Sequence, residues 1–490
     1  MQKKLLAAAV LAAFAGAASA QSANVTLYGT LIGSVESASA TGADGATTIG
    51  ATGNSSVRGA GNVTGTAAAN NAGTGLLAPG TGQFEQSQRM RMNPAGSNFG
   101  IRGTEDLGNG LSAWFQIEIA ATLGAPSGAT AGPNHGNAPS YRNSAVGLRS
   151  NTWGTVAVGS WDTPFNVLYG TTNANARTAG PSTVLNANMM GGTSMANGAW
   201  SSQNVLAQGC GGGAVANQCF NAGTNFDRRQ NGLLQWWSPN WNGFELRGSW
   251  AFPQETTGVT ANNRVAGAVG LASLKYNIWD LSATYTNGPL MVGYAYQRQK
   301  DLLAASAAAF GGLSIGTGGT GGAAVGANAS GSTGTGHRVG GRYAFAMGGG
   351  SSLGIGALWE SLKWTVGYSS ANSFGGFSDL SELKKTAYRL QGNFTTGNHF
   401  FGLEYVKTNE MKGSVTNQVG AFGFNGSGTA SKGYILSYNY MMSKRTSVTA
   451  YATLINNDAN AGYSGLVFGG ILGGAGSDPK YYGLNLRHAF

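Results

Sequence analysis

The chain ends on YYGLNLRHAF (481–490). Tyr482, Leu484, Leu486 and Phe490 share one parity, while Gly483, Asn485 and Arg487 share the other. Alternation with period two marks a strand with one apolar face. Two environments satisfy it: a soluble antiparallel sheet packed on a core, and a membrane barrel whose apolar face meets hydrocarbon. The rest of the chain chooses between them.

Charge placement repeats the pattern of the last strand. In LSAWFQIEIA (111–120), Leu111, Ala113, Phe115, Ile117 and Ile119 form one face and Glu118 lies on the other. Glu245 and Arg247 oppose Phe244, Leu246 and Trp250; Arg338 and Arg342 oppose Val339, Tyr343 and Phe345. Glu360, Arg389 and Glu404 likewise avoid the apolar parity of their segments. Such avoidance is demanded of a lipid-facing surface, where an Arg or Lys at the bilayer midplane costs roughly 2–4 kcal/mol. Lys275 breaks the rule when read in register with Trp279 and Leu281, and either a bulge near Asp280 or a position at the rim would account for it.

From Leu111 onward, two runs of about ten residues joined by a tight polar turn recur, a hairpin rhythm. Tight turns fall at 108–110, 152–154, 238–243, 287–289, 347–351, 396–398 and 443–445, all Gly, Asn, Pro or Ser sites. Long connections fall near 37–96, 121–140, 163–227, 253–268, 300–336, 369–383, 409–430 and 457–479. Fifteen connections join sixteen strands, and short turns on one rim with long loops on the other suit a transmembrane barrel. No second apolar face is available to make a sandwich core. The expected fold is all-β: a 16-stranded antiparallel barrel whose polar inner wall leaves an aqueous channel.

Composition agrees. Charged residues are 10% of the chain and Gly supplies 82 of 490 positions, against roughly 25% and 7% in ordinary soluble domains. Lys3 and Lys4, the apolar run 5–15 and Ala18-Ser19-Ala20 read as an export signal at 1–20 cleaved after Ala20, with the barrel over 21–490. Removing it leaves a formal charge of about +8. No later stretch reaches the roughly 18–20 apolar residues of a spanning helix. His135, His337, His399 and His488 lack ligand spacing, so neither a metal site nor a cofactor is expected.

VTLYGT (25–30), SNFGIRGTEDLGNGLSAWFQIE (97–118), AVGLRSNTWGTVAVGSWDTP (145–164), FDRRQNGLLQWWSPNWNGFELRGSW (226–250) and the terminal Phe490 together resemble general diffusion porins of the Gram-negative outer membrane. GTEDLGNGL is the most specific of these marks. The resemblance implies short periplasmic turns, long extracellular loops, a third loop folded into the lumen and a homotrimer set in outer-membrane lipid and lipopolysaccharide. It implies a last strand ending in Phe490 that is read by the assembly machinery, which answers why the chain closes on an aromatic. It also implies passive diffusion of small anionic or neutral solutes and ions, with no nucleic-acid partner and no catalysis. By motif position Arg102, Arg142 and Arg229 match basic wall positions of the constriction, with Arg228 adjacent and Arg89 and Arg91 upstream on the same wall. Asn98 and Thr30 stand where relatives carry basic residues, so the ladder is incomplete. The third connection has no Asp or Glu between Asp162 and Asp227, only Arg177 among charged types. An anion-selective constriction is expected, muted if the arginines pair with Glu118, Glu245 or Glu404.

Three further features bear on function. Trp236, Trp241, Trp250, Trp279, Tyr434, Tyr438 and Tyr482 belong to lipid-facing girdles. Cys210 and Cys219 enclose CGGGAVANQC, expected to be a disulfide in an oxidising compartment. The Gly/Ala/Asn/Thr-rich segment 37–82 offers an alternative, a surface adhesin anchored by the barrel, although it lies inside a hairpin and shows no solenoid repeat. The Gly-rich run 318–337 lacks the Gly-Lys-Ser/Thr and helix context of a phosphate loop.

Overall fold

A computed structural model describes residues 24–42, 86–92, 96–121, 142–177, 189–191, 226–252, 277–300, 333–365, 380–415, 428–458, 461, 463 and 476–490. Eighteen strand segments make one sheet. They are β1 (Asn24–Thr41), β2 (Gln86–Met92), β3 (Asn98–Gly108), β4 (Leu111–Ala120), β5 (Ser144–Ser150), β6 (Gly154–Asp162), β7 (Arg229–Trp237), β8 (Phe244–Ala251) and β9 (Asn277–Asn287). The second half comprises β10 (Leu290–Lys300), β11 (Thr333–Gly348), β12 (Ser351–Thr365), β13 (Leu380–Thr396), β14 (His399–Thr408), β15 (Lys412–Val415), β16 (Ser431–Met441), β17 (Thr446–Asn457) and β18 (Asp478–Ala489). One helix, α1 (Pro164–Thr171), follows β6.

Eighteen segments occupy sixteen barrel positions. β1 pairs with β3 through Asn24–Thr30 and with β2 through Val35–Ala40, so β2 and β3 share one position. β14 and β15 likewise share the edge of β13. Where the β2/β3 position breaks, Ser97 replaces the ladder: its Oγ accepts from Ile32 N at 2.8 Å and donates to Ile32 O at 3.2 Å. The ring closes where β1 meets β18, Thr30 opposite Ala489 and Thr41 opposite Asp478. Phe490 N donates to Gly29 O at 3.1 Å, so the final residue is tied to the first strand.

All seven expected tight turns join neighbouring strands. The turn at 108–110 has φ of 83°, 54° and 75°, left-handed values that the Gly-Asn-Gly sequence accepts at low cost. Two sequence expectations need correction. The first long connection is shorter than 37–96, because β1 continues to Thr41 and β2 already forms at Gln86. β9 has no bulge at Asp280, which faces inward in unbroken register with Ser249 and Gln297; Lys275 lies outside the described residues.

The face rule holds through the middle of the barrel. Leu281, Leu403, Leu436 and Leu484 are 57–62% exposed on the outside, whereas Glu36, Asp280, Arg338, Glu360 and Arg389 are buried on the inside. A water-soluble protein of this size would not leave so continuous an apolar belt in contact with water.

Candidate functional site: the lumen constriction

The described parts of the third long connection, 163–177, 189–191 and 226–227, lie against the inner wall of the barrel. The connection starts with α1, whose Pro164 occupies the first turn, where a missing N–H costs nothing. Thr163 makes no side-chain cap. The wall supplies one instead: Asp280 on β9 accepts from Phe165 N at 2.9 Å and from Gln297 Nε2 at 2.6 Å. A carboxylate at this helix end meets both an orphan donor and the positive end of the helix dipole.

Glycine makes the room. A Cβ on Gly293 would lie 2.6 Å from Leu168 Cδ1, and one on Gly336 would lie 2.7 Å from Phe226 Cδ1. Both positions face inward, so these strands yield their side-chain volume to the loop.

Buried charges then hold the loop down. Arg338 on β11 is fully buried and donates to Phe165 O at 2.9 Å and to Asp227 Oδ2 at 3.0 Å. It also pairs with Glu360 and lies 4.1 Å from the Phe165 ring centre. Glu360 accepts from Gly191 N at 2.8 Å, and Lys385 donates to Met189 O. Arg389 donates to Tyr169 O and Thr172 Oγ1, both at 3.1 Å, and stacks 4.2 Å from the Tyr169 ring. Burial pushes the Tyr169 hydroxyl well above its ordinary value, so the ring stays neutral beneath that guanidinium. Gln391 and Asn393 on β13 bond Asn173, Ala174 N and Ala174 O at 2.7–2.9 Å. Arg338 and Arg389 are therefore committed to the loop and are poor candidates for contacting a solute.

Across the lumen, the residues expected from sequence form a connected array. Arg102 is exposed on β3, its guanidinium 5.1 Å from the Tyr28 ring. The Tyr28 hydroxyl donates to Glu118 Oε2 at 3.1 Å, and Arg142 pairs with the other Glu118 oxygen. Arg229 lies 3.1 Å from Asp162 and donates to Asn143 Oδ1 at 2.7 Å; Asn143 Nδ2 donates to Asp162 at 2.9 Å. Three guanidinium groups thus stand against two carboxylates. Arg142 takes the Glu118 partner that the sequence offered as the muting alternative, and these five groups form a partly compensated array with one positive charge in surplus.

The remaining candidates separate. Arg91 pairs with Glu36 at 2.6 Å and stacks on Tyr481 at 5.5 Å. Arg89 faces inward on β2 opposite Ala38, and Arg228 is buried beside the loop's return. Arg177 on the loop lies 6.0 Å from the Phe400 ring. Cys210 and Cys219 lie outside the described residues. The sequence reading passed over an inward tryptophan cluster, Trp114, Trp161 and Trp237, with ring centres 5.4–5.8 Å apart. The parity of Trp114 against Phe115 was the available signal.

A closed antiparallel barrel narrowed by an inward loop over a partly basic wall is the architecture of a porin. Over 96% of this chain and 100% of the other, the fold superposes on an anion-selective porin from Comamonas acidovorans with TM-score 0.57 and 19% identity. It also superposes on OmpT of Vibrio cholerae expressed in the outer membrane, TM-score 0.50 and 12% identity over 96% of this chain and 99% of that one. By sequence, an outer membrane porin protein of Bordetella pertussis is 25% identical over 311 residues, 61% of this chain and 60% of that protein. Residues 7–460 match the Gram-negative porin family, and the chain belongs to it.

Proposed function

We propose that this protein is an outer-membrane channel through which small hydrophilic solutes and ions pass by passive diffusion, with a modest preference for anions. The observation that carries the reading is the asymmetry of the constriction. The array holds three guanidinium groups, Arg102, Arg142 and Arg229, beside two carboxylates, Glu118 and Asp162, while the loop has no Asp or Glu from 163 to 226. Low-dielectric walls focus the field of such a surplus. One unit charge about 4 Å from a passing ion is worth roughly 1 kcal/mol in bulk-like water, about a fivefold preference. The anion selectivity of the Comamonas porin is in keeping with this reading.

The reading includes export by the segment 1–20 with cleavage after Ala20, assembly as a homotrimer in lipid and lipopolysaccharide, and recognition of the strand ending in Phe490 by the assembly machinery. It includes a Cys210–Cys219 disulfide as well: intact protein treated with an alkylating reagent without reductant is expected to keep its mass, and two adducts would refute the pairing. Swelling of proteoliposomes tests the channel itself. Vesicles holding the protein should swell in isotonic pentose and stay unchanged in a large dextran; vesicles impermeable to pentose would refute the channel.

A further inference from the structure

Outward-facing charge is confined to part of the barrel. Among the described strand residues, every Lys or Arg on the lipid parity lies on β10 to β18; on β1 to β9 the only outward charge is Glu105, beside a short turn. The outward cations also gather at the rim of the long loops. Five neighbouring strands place Arg298, Thr335, Lys363, Lys384 and Lys412 directly opposite one another in a single cross-strand row. At about 4.8 Å per strand the row is about 19 Å wide. On β14 and β16, Lys407 faces Lys432 in the same manner.

Like charges directly opposite on a sheet face repel. Among the described residues one carboxylate serves the row: Glu382 lies 2.6 Å from Lys363 and 2.7 Å from Lys384, whose side chains remain 41% and 52% exposed. Four cations against one carboxylate leave an anion-sized demand on a surface that faces outward. Four residues nearer the short turns on the same strands stand Tyr294, Trp359 and Tyr388, outward-facing aromatics. Aromatic belts mark the edge of the hydrocarbon. Allowing for strand tilt, four residues place the cations roughly 10 Å beyond that edge, in the headgroup layer.

We propose that Arg298, Lys363, Lys384 and Lys412 form a binding site for the phosphate groups of an outer-leaflet glycolipid, holding it against the β10–β15 sector by charge-assisted hydrogen bonds. Long lysine stems lie along the apolar wall while their ammonium groups reach the phosphates. The β1–β9 surface, which carries no outward cation among the described strand residues, takes no such lipid. This inference rests on the outer-membrane reading above.

The test uses the folded full-length protein in neutral detergent, titrated with bisphosphorylated lipid A, with the same lipid stripped of phosphate, or with inorganic pyrophosphate. The readout is the barrel's thermal midpoint together with lipid retained in native mass spectra. Lipid A should raise the midpoint by several degrees, and K363Q/K384Q/K412Q should lose at least half of that rise, while K444Q on the short-turn rim should keep it. Should the triple variant fold poorly, K384Q alone and wild-type protein in 0.5 M salt should each weaken retention several-fold. An unchanged response in the substituted protein, or equal stabilisation by the dephosphorylated lipid, overturns the site. An equal effect of pyrophosphate shows a general anion patch and overturns the lipid assignment. Pentose permeability should be unaffected by K363Q/K384Q/K412Q, so an impermeable wild type that still binds lipid A would refute the channel and leave this site standing.

Discussion

Arg102 and Arg338 point into the same lumen, yet their surroundings give them different tasks. Arg338 is fully enclosed between Asp227, Glu360 and the Phe165 ring. Removing it strands two buried carboxylates, a loss of about 3–5 kcal/mol for a broken buried pair. Arg338→Leu should therefore lower the temperature at which circular dichroism reports loss of the sheet; an unchanged transition would show that the loop is held by other contacts. Arg102 is exposed and lies over the Tyr28 ring. Arg102→Ala should leave stability within about 0.5 kcal/mol and move the anion-to-cation permeability ratio toward unity. If the ratio stays put, Arg102 lies away from the ion path. The sequence motifs pointed to Arg102, which lies exposed on the inner wall of β3. They did not reveal its ring partner, because Tyr28 comes beside it only once β1 and β3 are paired.

At the scale of the element, the third connection shows how a strand pattern and a loop are coupled. Its helix is short, and an isolated helix of 8 residues is not stable in water. Docking makes it, through Asp280, Gln297 and the space left at Gly293 and Gly336. Gly293→Val would thrust a branched side chain at Leu168 and Thr284, both within 3.0 Å of its first carbon. The expected result is a displaced loop, with larger and noisier single-channel conductance and an unchanged yield of folded barrel; wild-type conductance would show that the helix shifts without opening the lumen. The strands themselves were legible from sequence, since lipid on one side and water on the other impose period two without interruption. The cradle was not. An inward Gly in a strand looks the same in sequence whether it meets water or, as Gly293 and Gly336 do, the docked loop. The outward lysine row was hidden for a related reason, as Lys363, Lys384 and Lys412 become neighbours only once β12, β13 and β15 are paired.

For the whole molecule, the barrel separates two jobs of charge. Inside, most pairs are compensated: Arg91 with Glu36, Arg247 with Glu245, Arg338 with Asp227 and Glu360. On the proposed reading, the small positive surplus near Arg102, Arg142 and Arg229 is what a passing ion meets at the constriction. Outside, charge stands at the long-loop rim of β10 to β18 and leaves the mid-barrel apolar. The zero-current potential across a planar bilayer holding the purified protein, in a tenfold potassium chloride gradient, tests this arrangement most directly. A surplus of one guanidinium predicts a potential whose sign shows chloride as the more permeant ion by a few-fold. A potential of the opposite sign, or a bilayer that carries no current, would contradict it.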